Sequence, residues 1–380
     1  MTVSADISST PPAADVIRVM VVDDSVVIRG FLTRFIETDP ELKVVQSVSN
    51  GQLALNSMER ASFDVIVLDI EMPVMDGMTA LPLILKADSS VQVIIASTLT
   101  KENAAITLRA LEMGAAECLA KPTSQELAGS TSFQDNLVEK VKTLGQLARR
   151  KRGVKARIAG GVAVAALKAP PPPKKFTLRS TDSSKFVPDV IAIGSSTGGP
   201  QALLQFFTEL KGGFRQPIFV TQHMPPTFTA ILAEHIAKQS GLKCKEAAEG
   251  DVVHGGHIYL APGNFHMIVK ETGGQRTISL NQDAPESFCR PAVDPMLRSI
   301  INVYKKKILA IIFTGMGSDG LKGCQQLVEA GGTVLAQDET TSVVWGMPGA
   351  VAQAGLCTRV MPLGLMAGTV REYIDFGGIS

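Results

Sequence analysis

The stretch Gly194-Ser195-Ser196-Thr197-Gly198 follows the apolar run Val190–Ile193 and leads through Gly199 into Pro200. A G-x-S-x-G pattern between a strand and a helix holds its central serine on a sharp turn with the hydroxyl exposed for attack. Such a hydroxyl needs a base to take its proton and an acid to orient the base. His223, at the end of "PIFVTQH", and Asp319, after "ILAIIFTGMGS", are residues of those types. The pattern describes acyl transfer, with Ser196 as nucleophile, His223 as proton acceptor and Asp319 fixing the imidazole tautomer. Backbone N–H groups of Thr197, just after the serine, and of Met316, in the glycine-flanked "TGMGS" turn, are the candidates for binding the oxyanion.

A second set of reactive residues occupies the first half of the chain. Asp23 and Asp24 follow "VMVV", Asp69 follows "VIVL", Ser97 follows "VIIA" and Lys121 follows "CLA". Three carboxylates brought to one place raise one another's pKa unless a cation relieves the repulsion. Mg²⁺, which prefers hard oxygen ligands, fits such a set, and a carboxylate beside it can accept a phosphoryl group. Lys121 and the Ser97 hydroxyl then suit the phosphoryl oxygens.

What would position these residues is read from periodicity. Residues 16 to 147 alternate strand-like runs ("VIRVMVVDD", "FDVIVLDI", "VQVIIAST", "AECLAKP") with amphipathic helical segments, one of which contains Pro82. The same alternation returns in residues 187–380, with a β-rich insertion over residues 244–280. Two α/β domains with doubly wound parallel sheets follow, the first flavodoxin-like and the second Rossmann-like. In open sheets of this kind, ligands sit beyond the carboxyl ends of the strands, where every residue named above falls. Residues 1–15 are expected to be a disordered tail. Residues 148–186, basic and interrupted by four consecutive prolines, are expected to be an extended linker whose charge would either dock on an acidic partner or only solubilise.

Composition excludes several classes. The 380 residues carry a net charge of +1, so no overall field favours nucleic acid or membrane. Five scattered cysteines without a C-x-x-C pair fit neither a disulfide framework nor a zinc site, and a reducing cytoplasm is expected. No apolar run is long enough to span a bilayer, so no membrane insertion is expected. No compact basic recognition helix follows the first domain, so no nucleic-acid role is expected either.

"VMVVDDS", "VIVLDIEMPVMDG", "VIIAS" and "CLAKP" resemble the signature of bacterial response-regulator receiver domains over residues 16–147. The resemblance implies Asp69 as phosphoacceptor, Mg²⁺ at Asp23, Asp24 and Asp69, phosphoryl sensing by Ser97 and Lys121, and a histidine kinase as phosphodonor. Cys118 departs from it, standing where many receivers have an aromatic. "IGSSTGGPQAL", "TQHMPPTFT", "GHIYLAPGNFHM", "FTGMGSDGLKG" and "VVWGMPGAV" resemble the catalytic domain of chemotaxis protein-glutamate methylesterases from residue 187 to the C-terminus. That implies phosphorylation-activated hydrolysis of glutamate γ-methyl esters on chemoreceptor helices, release of methanol, and deamidation of receptor glutamines. It also implies a triad of Ser196, His223 and Asp319, an open cleft to admit a receptor helix, and no cofactor in the second half. Cys289, before Arg290 and Pro291, stands where related sequences often carry histidine.

Competing readings are weaker. Ser195 is a rival nucleophile, and Asp294 and Asp338 are rival acids, although Asp294 reads as a helix cap. "HGGH" at His254 and His257, with His266 nearby, is a poor metal pattern across a Gly-Gly turn. "GSSTGG" lacks the Lys-Ser/Thr ending of a phosphate loop, and no acid follows the second strand as a dinucleotide site requires. The order Ser, His, Asp differs from the Ser, acid, His order of α/β-hydrolases. A receiver-controlled binding scaffold without catalysis is the alternative of a different class.

Overall fold

A computed structural model describes residues 16–98, 100–122, 131–159, 176–180, 187–210 and 213–375. The expected tail at 1–15 and the proline run of the expected linker lie outside the described residues. Contacts divide the chain into two compact units, Met1–Ala96 with Pro122–Gly161 and Ser97–Lys121 with Val162–Ser380.

The first sheet is built from β1 (Ile17–Val22), β2 (Leu42–Val48), β3 (Val65–Asp69), β4 (Gln92–Ser97) and β5 (Glu117–Ala120) in the order β2-β1-β3-β4-β5. β1 pairs in parallel with β2 and β3, and β3 with β4. Parallel strands covered on both faces must be apolar throughout, and β3 and β4 are buried at every residue. Between the strands run α1 (Val26–Ile36), α2 (Gly51–Met58), α3 (Gly77–Ala87) and α4 (Lys101–Glu112). Each helix starts on a side-chain cap: Ser25, Asn50, Asp76 and Thr100 accept the N–H of Ile28, Leu53, Thr79 and Asn103. Pro82 lies inside α3, and the helix continues through it with the proline exposed.

Helix α5 runs over Thr131–Ala159 and corrects the expectation of extended chain from residue 148. Two of the bases read as a tether, Arg149 and Arg152, pair with carboxylates within the chain. Asp64, with a side chain only 2% exposed, accepts Nε of Arg149 at 3.2 Å, Nη1 of Arg152 at 2.8 Å and the backbone N–H of Arg18 at 2.9 Å. Arg152 also reaches Asp88 at 3.2 Å. Arginine, lysine and alanine are good helix formers, and this buried carboxylate draws the helix onward past residue 148.

The second sheet has seven strands: β6 (Val190–Ser195), β7 (Ile218–Gln222), β8 (Lys243–Glu246), β9 (His257–Leu260), β12 (Ile308–Ile312), β13 (Thr333–Gln337) and β14 (Arg359–Met361). Their order is β14-β13-β12-β6-β7-β9-β8, and the pairs are parallel. The chain therefore builds outward from β6 through β7, then returns to its other side with β12, so the strand order reverses between β6 and β12. The stretch read as a β insertion is thereby corrected. β8 and β9 belong to the main sheet, and only β10 (His266–Thr272) and β11 (Gln275–Asn281) form a separate antiparallel ribbon. Covering helices are α6 (Gly199–Glu209), α7 (Phe228–Ser240), α8 (Val293–Tyr304), α9 (Leu321–Glu329), α10 (Met347–Gln353) and α11 (Leu363–Asp375). Val190, Ala192, Phe219, Met296, Ile300, Ile308, Ala310 and Leu327 share one core on one face.

Replacing Asp64 with alanine leaves Arg149 and Arg152 without their buried acceptor. The expected result is a loss of about 2 kcal/mol in chemical denaturation, with faster amide hydrogen exchange in residues 148–159. Exchange there unchanged by the substitution would contradict this account of the helix.

Candidate active site

Ser196, His223 and Asp319 lie just past the carboxyl ends of β6, β7 and β12, at the place where the strand order reverses. A doubly wound sheet opens its ligand crevice there. Across the parallel β6–β7 pair, Ser195 stands opposite Gln222, so Ser196 and His223 are the next residues on neighbouring strands. The backbone N–H of His223 donates to the Ser195 carbonyl at 3.1 Å, and that of Ser196 to the Thr314 carbonyl at 3.0 Å. Neighbouring strands lie roughly 5 Å apart, so the backbones of Ser196 and His223 are held one strand spacing from each other.

His223 Nε2 is 2.8 Å from Asp319 Oδ2. A carboxylate only accepts, so Nε2 carries a proton, and in the neutral ring Nδ1 holds the lone pair a base requires. Asp319 is held by three further donors: the backbone N–H of Val293 on Oδ2 at 2.6 Å, and those of Asp294 and Gly320 on Oδ1 at 3.1 and 2.9 Å. Val293 and Asp294 open α8, so the carboxylate caps the positive end of that helix. Burial works against the Asp319 charge, but the His223 bond and these amides outweigh it and lower its pKa. For His223, burial also disfavours the charged ring, but the neighbouring Cys289 sulfur and Asp319 carboxylate more than offset it and hold the imidazole above its ordinary value.

The oxyanion candidates meet Ser196 through glycine. A Cβ built on Gly315 would stand 2.9 Å from Ser196 Cβ and 3.0 Å from its backbone nitrogen, so only glycine lets the "TGMGS" turn approach the serine. That turn is braced from behind. Gly315 donates to the Val344 carbonyl at 2.9 Å and accepts from Gly346 and Met347 at 3.0 and 2.9 Å, the task performed by the "VVWGMPGAV" stretch. Among the described residues the N–H groups of Thr197 and Met316 have no hydrogen-bond partner. Gly198 takes φ +76°, where a side chain would also collide with Val343.

The rivals separate on the same geometry. Ser195 is fully buried and donates to Gln222 Oε1 at 2.7 Å. Asp294 does not cap its own helix; it accepts the N–H of Gly323 at 2.7 Å, and burial, with the Asp319 charge adding to it, raises its pKa to about 6. Asp338 instead closes a local turn onto Thr340 and Thr341. His254 and His257 have ring centroids 5.6 Å apart and belong to no ligand cluster among the described residues. Two contributors went unread in the sequence. Gln222 Nε2 donates to the carbonyls of Ser196 at 2.9 Å and His223 at 3.2 Å, clamping the two residues together. Glu117, in the same compact unit as the serine, accepts the Thr197 hydroxyl at 2.5 Å. Ser196 itself is 6% exposed.

In the first sheet, carboxylate oxygens of Asp23, Asp24 and Asp69 lie within 4.8 Å of one another. Asp23 and Asp69 are buried, and Asp24 is exposed. An all-oxygen trio this close fits a hard divalent cation. Gly77 closes the loop after Asp69: its N–H donates to Ile70, and a Cβ there would meet the Asp69 carbonyl at 2.1 Å. Ser97 ends β4, and the Lys121 N–H donates to the Ser97 carbonyl at 2.7 Å.

The two halves fit different families. Residues 19–129 match the response regulator receiver domain and residues 191–370 the CheB methylesterase. The chain is 53% identical over 375 residues to a protein-glutamate methylesterase/protein-glutamine glutaminase 1 of Rhodospirillum rubrum, covering 96% of both chains. It is 55% identical over 369 residues to a protein-glutamate methylesterase/protein-glutamine glutaminase of Azospirillum brasilense, covering 94% of this chain and 93% of the relative. The crystal structure of the Thermotoga maritima CheB methylesterase catalytic domain is similar at 41% identity with a TM-score of 0.48, over 49% of this chain and 98% of that one. The chain is thus a receiver domain joined to a hydrolase, and it belongs to the protein-glutamate methylesterase/protein-glutamine glutaminase family of enzymes. No helix among the described residues is long and apolar enough to cross a membrane.

A base must be neutral to accept a proton, so kcat/KM is expected to climb with pH, with its half-point above the ordinary imidazole value of 6.5. Asp319→Asn removes one cause of the upward shift, moving the half-point to lower pH, and it frees the tautomer, lowering the plateau by on the order of 10⁴-fold. A wild-type half-point below 6.5 would contradict this electrostatic reading.

Proposed function

We propose that the chain hydrolyses glutamate γ-methyl esters on the cytoplasmic helices of chemoreceptors, releasing methanol, and deamidates receptor glutamines by the same acyl transfer. The observation that carries this reading is the His223–Asp319 hydrogen bond anchored one strand spacing from Ser196. Ser196 Oγ attacks the γ-carbonyl while His223 Nδ1 takes its proton. The tetrahedral oxyanion is met by the N–H groups of Thr197 and Met316, which the Gly315 turn brings beside the serine. His223 then hands the proton to the departing methoxide, giving methanol, or in the deamidation to the departing amide nitrogen, giving ammonia. Water, deprotonated by the same ring, releases the glutamate from Ser196. Asp319 stays ionised and steadies the imidazolium at each step.

Catalysis in this reading is governed from the first sheet. Asp69 accepts a phosphoryl group from a histidine kinase, with Ser97 and Lys121 contacting its oxygens. Asp23, Asp24 and Asp69 would hold Mg²⁺, which when bound neutralises charge on the transferring group. Support for the coupling comes from the segment Ser97–Lys121, which carries both sensing residues and groups with the triad in one compact unit. Within that unit the Glu117–Thr197 bond touches the residue whose N–H is the oxyanion donor. Phosphorylation would shift a two-state equilibrium toward an arrangement that admits the receptor helix.

The test is methanol release from methylated receptor membranes, with and without a small phosphodonor. Ser196→Ala is expected to lower release to less than about a thousandth of wild type, and Asp69→Ala to lose the stimulation by phosphodonor. Wild type releasing no methanol while still binding receptor would favour the non-catalytic scaffold instead.

A further inference from the structure

A two-residue turn beside the triad has a form that folding alone does not call for. Glu286 and Cys289 exchange backbone hydrogen bonds, 3.1 Å from Glu286 N–H and 2.9 Å from Cys289 N–H, so Ser287 and Phe288 form the tip of a tight hairpin. Both tip residues have positive φ, +51° and +62°. A turn of this shape favours Asn-Gly or Gly-Gly, and a bulky aromatic in the left-handed region is a strained choice. Its side chain gives nothing back to folding, because Phe288 is 87% exposed and makes no ring contact among the described residues. Strain retained at a surface position without packing points to a use outside the folded chain.

The turn is also rigidly rooted. Arg290 Nε and Nη2 donate to Asn264 Oδ1 at 3.1 and 2.7 Å, and its Nη1 donates to the carbonyls of Gln282 and Asp283 at 2.9 and 3.0 Å. Glu286 is paired with Arg298 at the other side of the root. Cys289 lies beside the His223 ring, and four residues later Val293 donates to Asp319. The backbone of Phe288 is therefore held in place one residue from Cys289, which lies beside the His223 ring.

We propose that Phe288 is the substrate-docking residue of the hydrolase, packing against apolar side chains of the protein helix whose glutamyl ester enters the triad. The inference rests on the reading that the ester is carried by a protein helix. A helix that presents a glutamate in one turn presents neighbours three and four residues away on the same face, within reach of a ring beside the site. A rigid aromatic anchor offers a large contact area at low entropic cost. The strain is then the consequence of presenting phenylalanine where the turn itself prefers glycine.

The experiment compares full-length wild type, Phe288→Ala and the double variant Ser287→Asn/Phe288→Gly. Two substrates are used: methylated receptor membranes and the γ-methyl ester of N-acetylglutamate amide. Both variants are expected to lose about tenfold or more in kcat/KM on receptor, through KM, relative to any loss on the small ester. The double variant, with turn residues suited to positive φ, is expected to unfold at a higher temperature than wild type while showing the same defect on receptor. Receptor kinetics undiminished in both variants, with wild type active, would overturn the docking role alone. Equal losses on the two substrates would also overturn it, assigning the turn to catalysis or folding. Wild type releasing no methanol from receptor would overturn the esterase reading and this inference with it.

Discussion

The second half of the molecule is organised around one buried carboxylate. Asp319, 1% exposed, could not remain ionised there without its four donors. Three are backbone amides, two of them from the first turn of the helix Val293–Tyr304, and the fourth is the imidazole of His223. Meeting that requirement fixes the helix against the ends of the strands and fixes the ring against the serine turn. The proposed chemistry follows from the same satisfaction: a neutral imidazole whose Nε2–H is committed to a carboxylate holds its lone pair on the other nitrogen.

Backbone proximity is the second constraint. The serine turn, the "TGMGS" turn and the Trp345–Met347 segment are stacked so closely that Gly315 and Gly198 have no room for a methyl group. Gln222 ties the serine and histidine backbones together from below. The same packing brings the turn that carries Met316 beside Ser196, and Thr197 follows the serine directly, the proximity that an oxyanion site requires. The first sheet follows the same logic with different chemistry. Gly77 is forced against the Asp69 carbonyl, and oxygens of three strand-end carboxylates lie within 4.8 Å of one another, a set that would suit a hard divalent cation.

What the sequence disclosed was the part governed by local pattern. Apolar runs ending in Ser196, His223, Asp319, Asp69, Ser97 and Lys121 mark strand ends, and parallel sheets put strand ends on one rim. What it hid was set by partners distant in the chain. Asp64 draws Arg149 and Arg152 into a helix across 85 and 88 positions, so a basic run that reads as a tether is structured to Ala159. Lys243–Glu246 and His257–Leu260 are short and read as an insertion, and only their parallel register with the strand Ile218–Gln222 and with each other makes them part of the main sheet. Asp294 read as a cap because it precedes proline, yet its carboxylate serves Gly323 and its amide serves Asp319. Gln222, an unremarkable polar residue before a histidine, carried no signal of its clamp.

The central claim is that Ser196, rather than its neighbour Ser195, is activated by His223. It is tested most directly by treating the full-length protein with a serine-directed fluorophosphonate and locating the adduct by peptide mass spectrometry. A single adduct on Ser196 that disappears in His223→Ala is the predicted result. An adduct on Ser195, or one on Ser196 that forms at the same rate without the imidazole, would contradict the account.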